Sequence, residues 1–90
     1  MSLVDKLNSA LKTAMRERSA DKVAALRLIL AGLQNLRIAK REDLTDEEVI
    51  SALQKEVKKR VEAKVIYEKA GRVELAAIED RELKIIRQWL

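Results

Sequence analysis

Histidine, cysteine, proline and phenylalanine are all absent from this chain of 90 residues, and glycine occurs only twice. Without cysteine there is no disulfide and no thiolate nucleophile. Without histidine there is no imidazole acid or base, and Cys/His zinc sites fall with both. Carboxylate-only metal sites survive this inventory, but most enzyme mechanisms lose their usual groups. Tyr67 and Trp89 are the only aromatics, so any core is aliphatic. No apolar run approaches the roughly 18 residues that span a bilayer. The opening Met1-Ser2-Leu3-Val4-Asp5-Lys6 has no apolar secretory segment, which points to the cytoplasm and away from a membrane.

What remains is rich in Ala, Leu, Glu, Lys and Arg, a composition that favours helix almost throughout. Ninety residues suffice for one small domain with one core, spanning 1–90. The net charge of +4 is unevenly spread. Residues 1–41 carry nine Lys/Arg against three Asp/Glu, and residues 42–90 carry ten against twelve. A basic front half can meet phosphate, although surface Lys and Arg are also ordinary solvation.

The firmest local signal is Leu44-Thr45-Asp46-Glu47-Glu48-Val49-Ile50. Thr45 can cap the amide of Glu48 while the Glu48 carboxylate reaches back to the amide of Thr45, with Leu44 and Val49 as a hydrophobic staple. Asp46, Glu47 and Glu48 put negative charge at the positive end of the helix dipole. Ser2 with Asp5, Ser19 or Asp21, and Gly71 mark the other boundaries. Four helices are predicted, near residues 3–18, 20–40, 46–70 and 72–89, with no strand: an all-α, four-helix fold. The expected inner stripes are Leu3, Leu7, Leu11 and Ala14 with Val4 and Met15; Val23, Leu26, Ile29, Leu30, Leu33 and Leu36; Val49, Ile50, Leu53, Val57 and Tyr67; and Leu75, Leu83, Ile86 and Leu90. Arg60 and Lys64 fall on the apolar side of the third helix, where their stems can cover the core while their charges reach water. Gly32, inside the second helix, suggests a close helix approach. On the fourth helix Ile78, Ile85 and Trp89 form a second apolar stripe, wider than one packing contact requires.

Thr45-Asp46-Glu47-Glu48-Val49-Ile50, Leu53-Gln54-Lys55-Glu56-Val57-Lys58-Lys59-Arg60 and Tyr67-Glu68-Lys69-Ala70-Gly71-Arg72 together resemble the YqeY family, as do Leu7-Asn8, Lys12-Thr13-Ala14-Met15 and the segment from Leu26-Arg27 to Leu30. The resemblance covers nearly the whole chain but only the amino-terminal half of the usual family length. It implies a multihelical subdomain of the GatB/YqeY type, with the chain cut where a second subdomain, similar to the tail of the GatB amidotransferase subunit, would follow. It also implies association with transfer RNA and a family label of carbon-nitrogen ligase with glutamine as amide donor. None of the residues here matches the Ser-Lys or cysteine machinery that such chemistry needs, so the resemblance carries over no catalytic residue. Two departures stand out. Lys64-Val65 replaces an expected Ile-Glu, and Val73, Ala77 and Ile78 stand where charges are expected, either by drift or by remodelling of one surface, natural or engineered.

Three functions compete. The first is a non-catalytic, transfer-RNA-associated module using Lys12, Arg16, Lys55, Lys58 and Lys59, which lacks interleaved aromatics to stack bases. The second is a protein-interaction module, binding a partner protein or a second copy through Val65, Val73, Ala77, Ile78, Ile85 and Trp89; Trp is a common interface anchor but equally a core residue. The third is an enzyme or metal site at Glu79, Asp80 and Glu82, which a polar helix face explains more simply. No cofactor, metal or catalytic residue is expected.

Overall fold

A computed structural model describes residues 1–90 and contains four helices and no strand. They are α1 (Leu3–Arg16), α2 (Ala20–Lys40), α3 (Asp46–Lys69) and α4 (Val73–Arg87). Two of the starts are reciprocal capping boxes. Thr45 Oγ1 accepts from the Glu48 amide at 3.2 Å and Glu48 Oε1 accepts from the Thr45 amide at 2.9 Å. Ser2 and Asp5 repeat the arrangement at the head of α1. Asp46 also serves α1, because its Oδ1 accepts the amide of Leu3 at 2.9 Å, so an otherwise orphaned donor of α1 is satisfied from the first turn of α3. Ser19 stands at the head of α2 but makes no side-chain cap.

The ends follow backbone rules only partly visible in sequence. Gly71 turns the chain after α3 with φ of +71°, as its missing Cβ permits. Arg18 and Arg41 adopt the same left-handed conformation with φ of 55° and 64°, against the usual preference of a side chain with a Cβ. At Arg41 the compensation is local. Arg37 Nε bonds Asp43 Oδ1 at 2.9 Å, and Lys40 Nζ reaches Glu48 Oε1 at 2.5 Å, so the turn between α2 and α3 is tied on both sides.

The chain forms two antiparallel hairpins, α1 with α2 and α3 with α4, and α2 also packs along α4. Their shared core is Leu7, Ala14, Leu26, Ile29, Leu33, Val49, Leu53 and Ile86. Leu44 and Trp89 pack against it from the side. Five expected inner residues lie further out: Met15, Leu36, Ile50, Leu75 and Leu90 are all exposed. Helical periodicity specifies a face but not how far the partner extends.

Candidate interaction surfaces

Over its middle the α3/α4 hairpin is pinned by charge beside the buried Ala76 and Leu83 of α4. Arg60 is buried, its side chain 8% exposed, and it bonds three carboxylates: Glu56 at 3.2 Å, Glu79 at 3.2 Å and Glu82 through a short contact. Its Nε is buried without a partner. The expectation that the Arg60 charge reaches water is therefore corrected: two glutamates of α4 and one of α3 enclose it. One turn further, Lys64 bonds Asp80 at 3.0 Å, which holds the Asp80 carboxyl below its ordinary value; Lys84 and Arg87 add a weaker pull in the same direction. Glu79, Asp80 and Glu82 are thus occupied by cations of the chain. No group of three or more such side chains is arranged to hold a metal ion.

These pairs set the register of the hairpin and divide its flanks. On α4, Val73, Ala77, Asp80 and Lys84 recur at helical spacing on the flank that Lys64 meets, and Val61 and Val65 lie beside Lys64 on α3. Val61, Val65 and Val73 are exposed, Val73 by 75%, and Ala77 is half-buried. On the opposite flank of α4 run Leu75, Ile78, Ile85 and Trp89. Here the expected second stripe divides. Ile85 is 8% exposed and so interior, Trp89 is half-buried against the core, and Ile78 remains 41% exposed. The boundary is the start of α2: its Asp21 pairs with Arg81 of α4 at 3.6 Å, so α2 covers the stripe at Ile85 and has ended before Ile78. Leu75 at 37% and Ile66 at 65% exposure add to this uncovered end. Neither was among the expected surface residues. Ile66 could have been found as an apolar residue off the inner stripe of α3.

The basic candidates fall into two groups. Lys12 and Arg16 are adjacent on the outer face of α1, and Lys55, Lys58 and Lys59 are on α3, all exposed. None of the five makes an ion pair; neither do eight of the other fourteen Lys and Arg residues. No hydrogen bond or ion pair joins the α1 group to the α3 group. Lys55 and Lys59 turn to the flank of α3 that faces α2, where they border a groove over Leu28, Gly32 and Leu36, and Lys58 is not part of that border.

The family model described as Yqey-like protein matches residues 4–90. The chain belongs to the YqeY family. An uncharacterized protein of Schizosaccharomyces pombe is 29% identical over 84 residues, a match that spans 93% of this chain and 68% of the yeast protein. Membership of the YqeY family agrees with the four-helix, strand-free architecture. At the level the relatives support, the chain is a small helical module. None of its helices is long and apolar enough to cross a membrane.

Proposed function

We propose that this chain is a non-catalytic module that binds another protein through the apolar end of the α3/α4 hairpin. One observation carries the reading: Ile78 and Ile85 lie a heptad apart on one stripe of α4, and only Ile85 is covered by the chain's own α2. Isolated exposed apolar residues are ordinary on any protein. A group of them on one flank of the hairpin end, Ile66, Leu75 and Ile78, is a contact surface in the making. Burying a large aliphatic side chain is worth roughly 1.5 to 3 kcal/mol, so covering Ile66, Leu75 and Ile78 supplies a substantial driving force for association. The experiment is photo-crosslinking from residue 78 in an extract of the cells that make the protein. A discrete adduct is expected, displaced by excess wild-type chain and not by an Ile66→Ser/Ile78→Ser chain. Absence of a discrete adduct, or equal displacement by both chains, would refute the reading.

An RNA-associated role rests on a different observation, the free cations Lys12, Arg16, Lys55, Lys58 and Lys59, together with the transfer-RNA association that the family resemblance implies. Binding to transfer RNA would then weaken steeply with salt as counterions are released. Charge reversal of Lys55, Lys58 and Lys59 together would weaken it further. Failure to bind at low salt would end that role for this chain.

A further inference from the structure

α2 meets α4 at its start, where Asp21 pairs with Arg81, and lies beside Ala52 and Leu53 of α3 over its middle. A groove runs between α2 and α3 there. Its floor and walls are Leu28, Ile29, Gly32, Leu33, Leu36, Ala52 and Leu53. Leu28 and Leu36 are 49% and 47% exposed, two turns apart, with Gly32 halfway between them. At ≈ 270 Å³ the groove is below the usual range for a small-molecule site, about 300 to 1,000 Å³, but it is open along its length and suits side chains presented one turn apart.

Gly32 is the informative residue. It stands inside a helix of 21 residues, where glycine costs about 1 kcal/mol relative to alanine, yet a Cβ placed on it would meet nothing within 4 Å. The close helix approach expected from sequence does not exist, so no contact within the chain accounts for the glycine. What its missing side chain does is deepen the groove between the two exposed leucines. The charge of the groove is equally one-sided. Its only carboxylate, Glu56, is bonded to Arg60, whereas Lys55 and Lys59 on the rim have no partner.

We propose that this groove binds an amphipathic helix of a partner protein, with apolar side chains one turn apart seated over Leu28, Gly32 and Leu36 and carboxylates on its flank meeting Lys55 and Lys59. This surface and partner chemistry are separate from those of the hairpin end, so either can fail without the other. An acidic flank is selected because an uncompensated basic rim rejects a basic helix and steers an acidic one.

The probe is a fluorescent 18-residue helical peptide with leucines at i, i+4 and i+7 and glutamates along one flank, titrated with the protein and read by anisotropy. A scrambled peptide of the same composition is the control. Saturable one-to-one binding to the patterned peptide is expected, with the scrambled peptide at least about tenfold weaker, the margin that corresponds to 1.4 kcal/mol. Gly32→Leu fills open space without meeting the chain, so it leaves the helical circular dichroism intact and abolishes binding. Gly32→Ala is expected to raise the melting temperature of the free protein. Lys55→Glu/Lys59→Glu weakens binding at least about tenfold, and Lys58→Glu leaves it unchanged. Equal binding of the scrambled peptide, or binding indifferent to Gly32→Leu, overturns the proposal. So does transfer RNA that displaces the peptide with Lys58→Glu weakening both, which would make the lysines a general polyanion surface. A dimer detected by light scattering and dissolved by Gly32→Leu would assign the groove to a second copy instead and also overturn it.

Discussion

Replacing Arg60 with alanine tests how the α3/α4 hairpin is held. The side chain is 8% exposed, and its guanidinium is the shared partner of Glu56, Glu79 and Glu82, themselves 29%, 17% and 17% exposed. Arg60→Ala removes the cation and leaves three carboxylates facing its vacated space, the circumstance in which breaking a buried ion pair costs about 3 to 5 kcal/mol. A domain of this size melts about 4 to 8 °C lower per kcal/mol lost, so a fall of at least about 12 °C is expected, enough to unfold much of a marginally stable chain at room temperature. Arg60→Lys should lose less than alanine but still lose stability, because one ammonium cannot reproduce a planar fork that reaches three acids. The quadruple variant Arg60→Met/Glu56→Gln/Glu79→Leu/Glu82→Leu removes the charges together and should melt near or above the wild type, since uncharged replacement of a buried charge cluster is often neutral or stabilising. Thermal melts followed by circular dichroism at neutral pH decide it. A fall of less than about 3 °C for Arg60→Ala would show that the cluster is solvated and contributes like a surface pair, which is worth about 1 kcal/mol or less.

Three further outcomes follow from the same contacts. Thr45→Ala removes the cap of α3 and should destabilise by about 0.5 to 2 kcal/mol in urea unfolding, with Thr45→Ser retaining most of the stability. The Lys40 ammonium, with the Thr45 amide second, holds the Glu48 carboxyl down from an ordinary 4.5 to about 2. A carboxyl lowered on folding stabilises above its ordinary value and loses that contribution as pH falls towards the folded value. Stability should therefore drop between about pH 4.5 and 2, and Glu48→Gln should flatten that part of the curve. Asp80, lowered chiefly by Lys64, acts with the same sign. Leu7→Ala, at a position with no solvent exposure in the shared core, should cost about 2 to 5 kcal/mol and serves as the reference for a core deletion.

Local chemistry made the helices readable in sequence. The Thr45 and Ser2 boxes, Gly71 and the apolar repeats act over three or four residues, so each helix began and ended within about three residues of its expected place. Longer-range relations were not legible. Nothing near Arg60 announces that Glu79 and Glu82, about twenty residues on, will enclose it; only an arginine on an apolar face hinted that it needed partners. The split of the α4 stripe depends on where α2 begins in space, so Ile78 and Ile85 look alike in sequence and differ in the fold. Gly32 was noticeable as a glycine within a helix, but whether it served a close approach or an open groove depended on how near the neighbouring helix comes. The left-handed turns at Arg18 and Arg41 carried no signal, because the residue that usually marks them is glycine.

One stripe of α4 is core where α2 covers it and exposed where α2 does not, and urea unfolding of Ile85→Ser and Ile78→Ser, measured side by side, separates the two. Ile85→Ser should lose at least about 2 kcal/mol, as expected for a buried aliphatic residue replaced by a small polar one. Ile78→Ser should lose well under half as much, as a residue with 41% exposure does when nothing of its own chain covers it. Equal losses for the two variants would mean that Ile78 is packed as deeply as Ile85, leaving no uncovered end of the hairpin for a partner to bind.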